Sequence, residues 1–224
     1  MACNSSPHVL RVSGRETMSD AYLYRVEMEV VDIDRDAAMG EPVYLRLTDE
    51  CARERHVHGV VERLEFSATR SRDAFRVTLE LRPPQYLLHY RRGFRIFQEM
   101  SVPDIVQKVF ESAGLPAEVF RWELQSDYEE REYCVQYNES EWDFVCRLLE
   151  DEGIYFAFEH ALDSVVMVIG DTSEGVESVP GETLRFVYGA GGLDLGGEYV
   201  TDWITSRRVS ENKVSLNDYD GLNP

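Results

Sequence analysis

Apolar and polar residues alternate through much of the first ninety positions. Tyr24, Val26, Met28 and Val30 interleave with Arg25, Glu27 and Glu29, a two-residue period that predicts a half-buried strand. Residues 43–47, 57–66 and 75–81 repeat the signature, with breaks at Met39-Gly40-Glu41-Pro42 and over the polar 67–73 stretch. Arg82-Pro83-Pro84 ends the block. Short strands joined by such turns predict an antiparallel sheet that closes, or nearly closes, into a small barrel.

The period then changes. Ser101, Pro103 and Asp104 mark a helix start, Ile105, Val106, Val109, Phe110 and Ala113 form its apolar face, and Gly114 with Pro116 stops it. Phe120, Trp122 and Leu124 alternate as a short strand before the acidic 127–132 turn. In the next segment Tyr133, Val135 and Tyr137 predict a half-buried strand, and Ser140 with Asp143 forms a capping-box pattern. Trp142, Val145, Cys146 and Leu149 make one helical stripe. Gly153 stands where a left-handed C-terminal cap is needed, and residues 154–158 resume as an aromatic strand. The stripe is expected to pack against the strands around Tyr133 and Tyr155.

Strand patterns return at 165–169, 184–188 and 199–205, separated by glycine-rich acidic loops at 170–181 and 189–197. The expected architecture is mainly β with an α/β insert: a first antiparallel β-barrel-like domain over 1–95, the insert over 96–160, and the start of a second barrel over 161–224. That second barrel reads as incomplete, leaving a strand edge near 184–188 or 199–205 without its neighbour. Unpaired edges recruit partners.

Charge sharpens the picture. Of 224 residues with a formal net charge of −19, residues 1–95 hold 15 basic and 15 acidic side chains, and residues 96–224 hold 8 and 27. Such a surface repels nucleic acid and anionic lipid. It reads as a solvated acidic face or as a wall toward a channel or a basic partner. No stretch approaches 18 consecutive apolar residues, so no transmembrane helix is expected. The N-terminal Met-Ala-Cys-Asn-Ser-Ser-Pro-His lacks both a basic region and an apolar run, so folding in the cytoplasm is expected. Cys3, Cys51, Cys134 and Cys146 form no C-x-x-C pair and read as free thiols.

Candidate chemistry is sparse. His56 and His58 sit two apart in a strand, a spacing open to metal ligation, but no cysteine stands near; structural histidines are the expectation. The run from Gly189 to Gly197 has Asp194 where a dinucleotide loop needs glycine, and no amphipathic helix follows. Glu150, Asp151 and Glu152 end a helix where acids oppose its dipole, but consecutive helical positions diverge. The aromatic set Trp142, Phe144, Tyr155, Phe156 and Phe158 reads as core or interface rather than as a ligand box. No nucleophile elbow, zincin helix or Cys–His pair is present. Catalytic residues, cofactor and metal are therefore all expected to be none.

The segment 131–160 also resembles a known family. Tyr133, Gln136, Tyr137, Glu139, Trp142, Phe144, Leu148, Gly153 and Tyr155 stand in the order found in the hub of VgrG, the spike protein of type VI secretion systems, to which hubs of contractile phage tails are related. His58-Gly59-Val60-Val61, Arg95-Ile96-Phe97-Gln98 with 101–105, and Leu216-Asn217-Asp218-Tyr219-Asp220 with Pro224 resemble further stretches of that hub. The resemblance implies a phage-tail-hub-like fold and a structural, non-enzymatic role. It implies a homotrimer in the full-length protein, docking on the tube protein Hcp, contacts with baseplate proteins, and carriage of effectors or adaptors. Delivery would be through the contractile apparatus, without a signal peptide. The chain alone is expected to be a monomer or a weak, concentration-dependent oligomer. The hub of a contractile phage tail is the alternative, and a cell-wall-acting enzyme a disfavoured one.

Overall fold

The computed structural model describes residues 7–31, 34–48, 52–68, 74–173, 185–187, 199–200, 202–209, 213 and 215. Five strands make the first sheet: β1 (His8–Arg15), β2 (Leu23–Val30), β3 (Pro42–Thr48), β4 (Glu54–Ala68) and β5 (Phe75–Arg82). Their order is β1-β2-β5-β4-β3, antiparallel throughout. The fifteen-residue β4 pairs with β3 through its first half and with β5 through its second. A register shift between Val61 and Arg63 turns it from one neighbour to the other. The result is a curled, barrel-like sheet that stays open, because β1 and β3 are its two edges and do not pair.

The alternation at Tyr24, Val26, Met28 and Val30 points inward, and these residues join Tyr22, Val57, Val61, Val77, Leu79 and Leu81 in one core. Gly59 has a physical reason to be glycine. A Cβ there would lie 2.9 Å from the Arg82 carbonyl and 3.4 Å from Leu81 Cβ. The short helix α1 (Arg35–Ala38) is capped by the Asp34 carboxylate.

A 3-10 segment (Pro84–Tyr90) leads into β6 (Arg92–Phe97) and α2 (Val102–Ser112). Ser101 Oγ accepts from the Asp104 N–H, as an N-cap does, and Gly114 closes the helix at φ +75°. Then come β7 (Phe120–Glu123), β8 (Cys134–Ser140), α3 (Glu141–Asp151), β9 (Tyr155–His160) and β10 (Val165–Gly170). Strand β10 pairs parallel with β7 and antiparallel with β9, while β6 and β8 form a separate antiparallel ribbon. A second core gathers α2, α3 and the inner faces of these strands, including Val106, Phe110, Phe144, Leu148, Phe156 and Ile169. Phe158 packs against both cores.

All of this lies in one unit, Met1–Val176; Glu177–Pro224 form another. In that second unit β11 (Arg185–Phe186) pairs parallel with β12 (Tyr199–Val200). Of the strand expected over 199–205, only Tyr199–Val200 pairs among the described residues; residues 202–209 are exposed and have no ladder partner there. Residues 184 and 188, residues 174–181 of the first loop, the whole 189–197 loop, and the 216–220 and 224 matches lie outside the described residues.

Candidate functional site

Strand β8 and helix α3 form where the caps predicted. The Ser140 hydroxyl accepts from the Asp143 N–H at 3.0 Å, and Gly153 takes φ +71°. With open space around Gly153 Cα, that dihedral, rather than crowding, demands glycine. Trp142, Val145, Leu148 and Leu149 are buried, and Phe144 joins them, so the buried face is wider than the expected stripe. Trp142 packs edge-on against Phe156 (5.6 Å between ring centroids) and Tyr86 (6.0 Å), while Phe144 stacks on Phe97. As expected, the stripe shares one core with the strands on either side, through Cys134 of β8 and Phe156 of β9, but the Tyr133 side chain itself faces solvent.

The reason is the phase of β8. The two-residue period is present, but the buried members are Cys134 and Gln136. Tyr133 and Tyr137 point outward, Val135 is half-buried, and across the ribbon Phe94 opposes Tyr137 and Ile96 opposes Val135. Phe94, Ile96 and Tyr137 are 65%, 59% and 74% exposed. The Phe94 and Tyr137 rings meet edge to face at 5.2 Å.

Polar groups lie beneath the ribbon beside the buried Phe97 and Cys134. Glu141, 5% exposed, accepts from Arg91 Nε at 2.7 Å and from Arg95 Nη2. Arg95 Nε donates to Gln136 Oε1 at 3.0 Å, and the Gln136 amide donates to the Glu139 carbonyl at 3.1 Å. Arg95 Nη1 reaches Ser112 Oγ, and Arg91 Nη2 reaches the Ser112 carbonyl. This network ties β6 and β8 to the start of α3 and the end of α2. With each buried polar atom satisfied, it sets the ribbon's register and orientation, at a cost if any member is removed. Glu139 is held by Arg147 through both carboxylate oxygens, and Tyr155 donates to the Thr172 carbonyl.

Arg91, Phe94, Ser112 and Glu141 were not singled out from the sequence, and Arg95 was named only as part of the hub-like stretch 95–98. The arginines at 91 and 95 and an acid directly after an N-cap were visible, but nothing local pairs them.

The other candidates resolve into structure. His56 Nδ1 meets Tyr44 Oη at 2.7 Å, whereas His58 Nε2 faces the carbonyls of Ala161 and Leu162; their rings stack on Tyr44 and converge on no shared point. Arg131 bridges Asp151 and Glu152, offsetting the acids at the end of α3. Burial pushes the Cys146 thiol up to about 12, so it stays protonated and unreactive near neutrality. Cys134 is raised by burial as well. Cys3 and Cys51 lie outside the described residues. Asp171 is held down at about 2 by the Gln125 and Ser126 N–H groups. No described helix is long and apolar enough to cross a membrane.

The arrangement is a two-strand ribbon with an apolar outer face, anchored by Glu141 and standing beside a curled sheet. The chain belongs to the phage tail baseplate hub (GPD) family, whose model matches residues 15–224. It is 35% identical over 217 residues to the type VI secretion system spike protein VgrG1b of Pseudomonas aeruginosa, covering 96% of this chain and 29% of that protein. To VgrG1a of the same organism it is 34% identical over 229 residues, covering 99% and 35%. Among solved structures it resembles the E. coli c3393 protein, a component of the type VI secretion system with structural similarity to T4 bacteriophage tail proteins gp27 and gp5. The TM-score is 0.72 and the identity 29%, over 83% of this chain and 50% of that one. The chain spans about a third of the length of the curated relatives it matches.

Proposed function

We propose that this chain acts as the hub of a type VI secretion spike, docking on the Hcp tube and serving in the delivery of effectors or their adaptors. The hub role itself follows from the family. The observation that supports the finer reading is the likeness to the type VI component c3393, which extends over 83% of the chain at a TM-score of 0.72. In this reading the parent protein is a trimer that meets baseplate proteins, assembles in the cytoplasm and leaves through the contractile apparatus. The motif residues act structurally: Trp142, Phe144 and Leu148 fill the core, Gln136 and Glu139 hold the ribbon, and Gly153 turns the chain into Tyr155 of β9.

A direct test is Hcp release by a contracting strain whose spike carries this hub. Glu141→Ala, which unlocks the ribbon, should abolish release, and purified hub should bind Hcp hexamers. Normal release with the hub region deleted would refute the role. A second reading, the hub of a contractile phage tail, draws on the family model itself. Recovery of the protein in sheathed particles that carry DNA would favour it.

A further inference from the structure

The β6–β8 ribbon leaves an apolar face open. Its underside buries Phe97, Cys134 and Gln136, with Arg95 half-buried beside Glu141, while Phe94, Ile96, Val135, Tyr137 and Tyr133 form an apolar outer face. Exposed patches of clustered aromatic and branched side chains mark contact surfaces. Two-stranded ribbons are marginal by themselves and gain from a cover on the open side. The cover fits face-on rather than by strand addition, because Arg147 Nη2 donates to the Val135 carbonyl on the flank of β8.

The charge around this face identifies what fits it. Next to Tyr133 the 127–132 turn carries Glu129, Glu130 and Glu132, all exposed and without an ion-pair partner among the described residues. The same chain holds a matching element. Edge strand β1 is exposed at every position but Val12, which is half-buried. It offers Val9 and Leu10 as exposed apolar side chains, at a register shift that frees Leu10 from the ladder. Its charged residues are Arg11 and Arg15, with His8 beside them and no acid within the strand. Neither arginine has an ion-pair partner among the described residues. Two apolar residues followed by cations thus complement an apolar face with acids at its Tyr133 end.

We infer that the outer face of the β6–β8 ribbon receives β1 of a second copy of this chain, with Val9 and Leu10 seated on Phe94, Ile96, Val135 and Tyr137, and Arg11 and Arg15 meeting Glu129, Glu130 and Glu132. The two surfaces differ, so the contact is heterologous, and repeating it closes a ring or runs on as a filament. This deepens the hub reading by naming the subunit contact, and rests on it only in taking copies as partners.

Two variants of the chain test the inference by sedimentation over a range of concentrations. Phe94→Asp with Tyr137→Asp spoils the face, and Arg11→Glu with Arg15→Glu spoils the strand. All four residues are exposed, so thermal melts should match the wild type and exclude misfolding. The wild type should self-associate with rising concentration, and each variant alone should associate at least about tenfold more weakly. Mixed one to one, the variants should regain a single heterodimer, because one intact face and one intact strand remain. A wild-type chain monomeric at millimolar concentration, variants that associate like wild type, or a mixture that fails to pair would each overturn the inference. Hcp binding measured on the same monomeric variants reports on the hub reading separately.

Discussion

The curled sheet and the β6–β8 ribbon solve opposite problems. In the sheet, Val26, Met28, Val77 and Leu79 go inward and the charged residues between them face water or pair across strands, as Arg25 does with Glu80. In the ribbon, Arg95 and Gln136 go inward beside Phe97 and Cys134, while Phe94, Ile96 and Tyr137 go out. The sheet is stabilised by what it hides from water, so it needs nothing else. The ribbon is held by Phe97 and Cys134 in the core and by hydrogen bonds that fix its position, while the apolar area of its outer face stays exposed. A region ordered in this way contributes little to the stability of one chain and much to association between chains.

The comparison is broken most severely at Trp142, where helix, β9 and the 3-10 segment meet. Trp142→Ala should cost about 3–5 kcal/mol in urea melts; a loss below about 1 kcal/mol would show that α3 is not anchored by this ring. Glu141→Ala strikes the ribbon's own support. Its two arginines are partly solvated, so the cost should be about 2 kcal/mol rather than the full value for a buried pair. Hydrogen exchange should then rise in β6 and β8 and remain unchanged in β2 and β5. Gly153→Ala imposes a positive φ on a residue with a Cβ and should cost about 1 kcal/mol in the same melts.

Acid should weaken the junction between the curled sheet and β9. The His58 N–H donates to His160 Nδ1, and burial holds the His160 imidazole below its ordinary value, with Glu16 raising it and Arg55 and His58 lowering it. Between the lowered value and the ordinary value near 6.5, the unfolded chain binds more protons than the folded one. Stability from this group is therefore full above about pH 6.5 and declines as the pH falls below it. Melting temperatures from pH 7.5 to 5 should show that decline, and His160→Gln should remove it. The smallest effect belongs to the outer face: Phe94→Ser should change stability by no more than about 0.5 kcal/mol. A large loss there would mean that the face is covered within one chain.

Local features were legible because their causes are local. Ser101 and Ser140 cap helices, and Gly114 and Gly153 end them, since one hydroxyl or one positive φ suffices. Alternation located β2 and β5, because a sheet packed on its own core must hide one side. The same alternation at Tyr133, Val135 and Tyr137 marked a strand correctly and misjudged its inward face. Period is a property of the strand itself, but which face is covered depends on what lies above and below it.

By itself, then, the sequence determined β2 to β5, β7 to β10 and the helices α2 and α3 with their caps, the family and the acidic character of the second half, but not β1, α1 or β6. Tertiary structure decided three further things. It paired β6 with β8 across the intervening helix and strand, it left the first sheet open between β1 and β3, and it chose Glu141 from 42 acids to meet Arg91 and Arg95. Each joins residues far apart along the chain, and no propensity or spacing of neighbours encodes which distant partner will be brought within hydrogen-bonding reach.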